Sequence, residues 1–159
     1  MRLIIFILAA MACTPALAEE PVSFQKIDEV PLSQQQIFDS SLIWLAETFR
    51  DSEEVIEYKD RDTGTIIGNG IVETKGGMFL APPNKSRFQL RIDTKEGRYR
   101  LTFSKVELWV GDYGTTWKPI EEANRQMLEP KILERFEQIA QDFKSGVQKE
   151  AAAAGGKDW

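Results

Sequence analysis

Histidine is absent from the 159-residue chain, and Cys13 is its only thiol. Ser–His and Cys–His nucleophile pairs are therefore excluded, as is any His-ligated metal site. Carboxylates are what remain for acid–base work. Glu53-Glu54 and Glu121-Glu122 are adjacent pairs near predicted element boundaries. Glycoside hydrolysis needs two carboxylates about 5–10 Å apart, and adjacency in sequence specifies no such distance. Solubility or a helix N-terminus accounts for such pairs more simply. Asp60-x-Asp62-x-Gly64 has the opening of a calcium loop, but its sixth position is Thr65 instead of Gly and its twelfth is Ile71 instead of Glu. A turn between strands fits these residues better. No metal, no cofactor and no enzymatic activity are expected; a cell-envelope hydrolase using carboxylates is the alternative.

Binding residues stand out more clearly. Arg87–Asp93 alternates, with Phe88, Leu90 and Ile92 on one side and Arg87, Gln89, Arg91 and Asp93 on the other. Arg98–Val110 alternates through Tyr99, Leu101 and Phe103, then slips phase at Ser104-Lys105, which marks a bulge or bend. A four-residue loop over Thr94–Gly97 would pair Asp93 with Arg98 and Arg91 with Arg100, with Gln89 opposite Thr102 and Arg87 opposite Ser104. Opposed like charges destabilise a sheet unless an anion compensates them. That anion is either local, from Asp93 with Glu57 or Glu73, or a carboxylate or phosphate held by Arg87, Arg91 and Arg100. Trp109, Tyr113 and Trp117 cluster in and beside a Gly-containing loop. Such a cluster either covers the open end of the core or stacks on sugars or peptides. Met78-Phe79-Leu80 likewise reads as an apolar flap or as a partner-binding tongue.

Two helices and five strands must position these residues. Val22–Val30, short and mixed, reads as a first strand. Ser33 and Gln36 form a capping-box pattern, with Leu32 and Ile37 as a staple, and Phe38, Leu42, Leu45 and Phe49 recur at helical spacing to about Arg50. Strands follow at Glu54–Lys59 and Thr65–Thr74, the latter interrupted by Gly68 and Gly70, which suggest a bulge or a close approach by a neighbour. Loops are expected over 75–86 and 111–118, with a helical turn or two from Pro119 and a start or kink at Pro130. Ile132, Phe136, Ile139, Ala140, Phe143 and Val147 make a second helical stripe, and the tail from Gln148 should be loose. Four consecutive strands imply antiparallel hairpins, and one apolar stripe per helix puts both helices on one sheet face.

The N-terminus gives an address. Arg2 precedes an apolar run ending in Ala16-Leu17-Ala18, the small-x-small pattern of a cleaved secretory signal. The expected organisation is a signal peptide over 1–18, one domain over 19–147 and a flexible tail over 148–159. Cleavage after Ala18 removes Arg2 and Cys13 and moves the formal balance from −5 to −6 (19 basic against 25 acidic residues). A lipoprotein acylated at Cys13 is the competing reading. No transmembrane segment should remain after cleavage, and the acidic balance argues against nucleic acid.

The element order, with Trp44-Leu45-Ala46-Glu47-Thr48-Phe49, Thr65-Ile66-Ile67-Gly68-Asn69-Gly70 and Lys95-Glu96-Gly97-Arg98-Tyr99-Arg100, resembles small exported bacterial proteins carrying a domain of unknown function with a TATA-binding-protein-like (TBP-like) fold. The resemblance implies an α+β, β-α-β-β-β-β-α domain in the periplasm or at the cell surface, and brings no catalytic residue with it. Sharing a fold with a DNA-bending factor is no evidence of DNA binding. The function expected is a non-enzymatic periplasmic binding module working through the helix-free sheet face. Its partner would be an anionic envelope component or a protein, and homodimerisation through that face is a further alternative.

Overall fold

The computed structural model describes residues 20–49, 56–74, 84–110, 116–122 and 125–155. The elements run β1 (Phe24–Glu29), α1 (Gln34–Thr48), β2 (Ile56–Asp60), β3 (Thr65–Thr74), β4 (Asn84–Lys95), β5 (Arg98–Val110), β6 (Thr116–Pro119), a single 3₁₀ turn (Ile120–Glu122) and α2 (Arg125–Gly155). The strands make one antiparallel sheet in the order β1-β5-β4-β3-β2. β1 lies along the first half of β5 and β6 along its second half. Both helices cover the same face, as the stripes predict.

Alternation dictates that packing. Ile66, Val72, Phe88, Leu90, Ile92, Leu101 and Phe103 point inward and are buried against Ile37, Phe38, Trp44 and Leu45 of α1 and Ile132, Phe136, Phe143 and Val147 of α2. Each such side chain contributes about 1.5–3 kcal/mol on burial. Phe136 is central: its ring stacks on Phe103 at 4.5 Å and meets Phe88 at 5.0 Å. Two glycines permit close approach. A Cβ at Gly70 would lie 2.6 Å from the Phe88 ring, and one at Gly146 would lie 2.3 Å from Trp44. Gly70 is thus the close approach that the sequence suggests for β3.

α1 is capped as its sequence predicts, Gln36 N–H donating to Ser33 Oγ and Ser33 N–H to Gln36 Oε1. The first turn of α1 has no acidic residue of its own. Glu96, in the β4–β5 turn, supplies one by accepting the Gln34 N–H at 3.1 Å, which favours the helix dipole. Gly97 in the same turn takes φ +74° and exchanges backbone hydrogen bonds with Val30 and Leu32. The hairpin therefore braces the entry to the helix.

Three expectations are corrected. The β4–β5 turn is the two-residue Glu96-Gly97, so Lys95 pairs with Arg98 and Asp93 with Arg100. Arg91 then faces Thr102 instead of Arg100, Gln89 faces Ser104 instead of Thr102, and Arg87 faces Glu107 instead of Ser104. A two-residue slip keeps every side chain on its face, so the apolar match could not detect it. Residues 116–119, expected as loop and helix start, form an edge strand. Helix α2 passes through Pro130 in its second turn and continues beyond Val147 to Gly155, with Ala151 buried, where a loose tail was expected. Its alanine run is good helix-forming sequence. The bulge expected at Ser104-Lys105 is present, with Lys105 at φ +52° and two β5 residues spanning one of β4.

Candidate binding face

Outward-pointing residues of the strands form successive rungs across the helix-free face. Ile27, Arg100, Asp93, Thr65 and Asp60 make one rung; Gln25, Thr102, Arg91, Ile67 and Tyr58 make the next. Ser104, Gln89 and Asn69 follow, then Glu107, Arg87 and Ile71, and finally the Trp109–Trp117 pair. The predicted arginines, Gln89, Thr102, Trp109 and Trp117 are therefore gathered on one face. Tyr113 lies outside the described residues, as do the Met78-Phe79-Leu80 loop, Glu53-Glu54, Cys13 and the Ala16 and Ala18 cleavage positions.

Charge on this face is paired locally. Asp93 bridges two guanidiniums: Arg91 Nη2 and Arg100 Nη2 each lie 2.8 Å from a different carboxylate oxygen. Thr65 Oγ1 donates to the same carboxylate at 3.2 Å. Burial works against the charge on Asp93, yet the bonds from Arg91 and Arg100 outweigh it and hold the carboxyl below the usual range. Arg87 is paired with Glu107 and lies 4.9 Å from the centre of the Trp117 ring. The local reading of the arginine cluster is thus realised through Asp93 and Glu107. Glu57 instead accepts the side-chain amides of Asn69 at 2.6 Å and Gln89 at 3.1 Å, and Glu73 pairs with Lys85. Gln25 donates to Thr102 at 3.4 Å.

Apolar groups surround this lattice. Ile27 is 59% exposed, Ile71 53%, Tyr58 48% and Trp109 38%. Trp109 and Trp117 meet edge-to-face at 5.1 Å. Between them and the centre lies a cleft of about 400 Å³ lined by Glu57, Asn69, Ile71, Arg87, Gln89 and Glu107, among others. Sequence reasoning missed Asn69, Ile71 and Glu107 as members of this surface. Alternation in β3 places Asn69 and Ile71 outward, but β3 is apolar on both sides, which hid the face assignment. Glu107 was hidden by the expected four-residue turn, which set Ser104 instead of Glu107 opposite Arg87.

The other candidates resolve as structural elements. Asp60 accepts the N–H groups of Asp62 and Thr63, the side-chain bonds of a turn joining β2 to β3. Glu121 accepts the Val22 N–H at 2.9 Å and ties the start of the described chain to the 3₁₀ turn. Among the described residues no group of His, Cys, Asp and Glu side chains is arranged to hold a metal, and no helix is long and apolar enough to cross a membrane.

Two solved structures share this architecture. A DUF4468 family protein from Bacteroides ovatus aligns with a TM-score of 0.65 at 18% identity, over 80% of this chain and 86% of that one. A TBP-like protein from Parabacteroides distasonis aligns with a TM-score of 0.67 at 16% identity, over 80% of this chain and 93% of that one. At such identities the likeness concerns the fold. No curated protein matches the chain in sequence. The family model for a domain of unknown function (DUF4468) with TBP-like fold matches residues 24–109, from the first residue of β1 to Trp109 on the helix-free face, and the chain belongs to that family.

Proposed function

We propose that this protein is an exported, non-enzymatic binding module of the cell envelope that works through its helix-free sheet face. The observation that carries the reading is the distribution of exposed apolar side chains. Among the described residues, Ile27, Tyr58, Ile71 and Trp109 on this face outnumber Ile43 and Met127, the large exposed hydrophobics elsewhere. Tryptophan, tyrosine and arginine together are the residues that dominate recognition surfaces. The non-enzymatic reading rests on residue types, since the chain has no imidazole and the mature form would have no thiol. Export rests on the Arg2-to-Ala18 segment.

Pre-pairing of the arginines changes how the face would work. Asp93 and Glu107 already satisfy them, so they act as oriented donors in a neutral lattice more than as free anchors for an anion. Contact should then depend on apolar burial and change little with salt. Sedimentation of purified protein with an envelope fraction of a bacterium carrying it tests the reading. Co-sedimentation should be lost in a Trp109→Ala/Ile71→Ser variant and kept in an Ile43→Ser/Met127→Ser variant. Equal retention of both variants would overturn it.

A further inference from the structure

We propose that the cleft beside Trp109 and Trp117 binds a neutral, hydroxyl-rich ligand, a short oligosaccharide. This deepens the binding-module reading and rests on it. The cleft's volume of about 400 Å³ lies within the range of small-ligand sites, about 300–1,000 Å³. Its charges balance: Arg87 and Lys105 are matched by Glu57 and Glu107. Arg87 already holds Glu107. A phosphate or carboxylate bound at Arg87 would have to displace that acid and then sit near Glu57, whereas an uncharged ligand meets neither penalty.

Fixed planar polar groups line the same cleft. The two oxygens of Glu57 each accept one amide, Oε1 from Asn69 and Oε2 from Gln89. Those bonds fix the orientation of both amides, leaving each carbonyl oxygen and one further N–H of each to meet a ligand. Neighbouring hydroxyls on a sugar ring each donate and accept, so they complement such side-by-side acceptors and donors. An apolar platform completes the site. Trp109 and Trp117 occupy the next rung along β5 and β6 from Glu107 and Arg87. That step is about 7 Å along a strand. An indole face accepts the C–H face of a pyranose while the cleft takes its hydroxyls. Arg87, against Trp117 on one side and Glu107 on the other, joins the two halves.

Titration with cellobiose, xylobiose, mannobiose and N,N′-diacetylchitobiose, followed by indole and side-chain amide NMR signals, tests the site. At least one sugar should saturably shift the amides of Asn69 and Gln89 and the indoles of Trp109 and Trp117. Gln89→Ala and Trp117→Ala should each weaken that binding by about tenfold or more, as loss of a paired polar group or stacking ring would. Ile27→Ser, at the far end of the face, should leave it unchanged. No response to any of the four sugars, or the same shifts from inorganic phosphate or citrate, would overturn the proposal. Envelope retention that depends on the face but yields to none of these sugars would refute the sugar site alone. Retention indifferent to face variants would refute the binding module itself.

Discussion

Replacing Asp93 with asparagine keeps the side chain's size and removes the charge that joins Arg91 to Arg100. The Asp93 side chain is only 15% exposed, while those of its two partners are 48% and 46% exposed. The freed guanidiniums can therefore re-solvate, and each ion pair is worth about 0.5–1 kcal/mol, the upper part of the range for surface pairs. The Thr65 hydrogen bond adds about 0.5–1 kcal/mol. Together these give a loss of about 1.5–3 kcal/mol, which lowers Tm by roughly 5–10 °C for a chain of this size. Far-UV circular dichroism melts in low and molar salt measure it, and the deficit should shrink as salt screens the exposed partners. pH supplies a second signature. A carboxyl held low in the folded state contributes its full stability above the ordinary aspartate pKa and loses it as pH falls through the lowered native value. Asp93→Asn should abolish that acid-side loss. The arginines give the sharpest refutation: in the pairing with Arg91 opposite Arg100, Arg100→Ala would raise Tm, whereas opposite Asp93 it must lower Tm. An increase for Arg100→Ala, or no change for Asp93→Asn, would refute the hub.

Three further substitutions probe the frame that holds the face. Gly146→Ala places a methyl 2.3 Å from Trp44 and should cost about 1–3 kcal/mol in urea unfolding, the usual range for overpacking. Lys105→Gly relieves a left-handed backbone at φ +52° and should raise stability by up to about 1 kcal/mol, less the entropy glycine adds to the unfolded chain. Ser86 Oγ is buried without a hydrogen-bond partner among the described residues, so Ser86→Ala should raise stability by about 1 kcal/mol in the same assay, and a loss would show that the hydroxyl is satisfied.

How far the sequence could be read depended on which physical pattern carried each feature. Period-two alternation put Arg87, Gln89, Arg91, Arg100 and Thr102 on one face, and the helix stripes put the core on the other. The same period concealed the register. Leu90 and Ile92 find apolar partners in either hairpin, because sliding by two exchanges one inward residue for another. Only the turn distinguishes them, since Gly97 supplies the positive φ that a two-residue connection uses here. Asp93 was already legible as the local anion of the arginine cluster, whereas the pairing of Arg87 with Glu107 followed from the register and was invisible without it. Residues 116–119 were illegible for another reason: Thr-Trp-Lys-Pro is too short to show alternation, and its strand character comes from pairing with β5. Gly70 was legible as a place of close approach because a glycine within a strand leaves room for a ring.

Isoleucine methyl NMR offers the most direct test that the uncovered sheet face is the working surface, because isoleucines report from every side of the molecule. Ile27, Ile67 and Ile71 point out from the face, Ile43 sits on the exposed side of α1, and Ile37, Ile92 and Ile132 are buried. When solubilised envelope material is added to methyl-labelled protein, signals of Ile27, Ile67 and Ile71 should attenuate while Ile43 and the core methyls persist. Attenuation centred on Ile43, or none at the three face residues, would contradict the account.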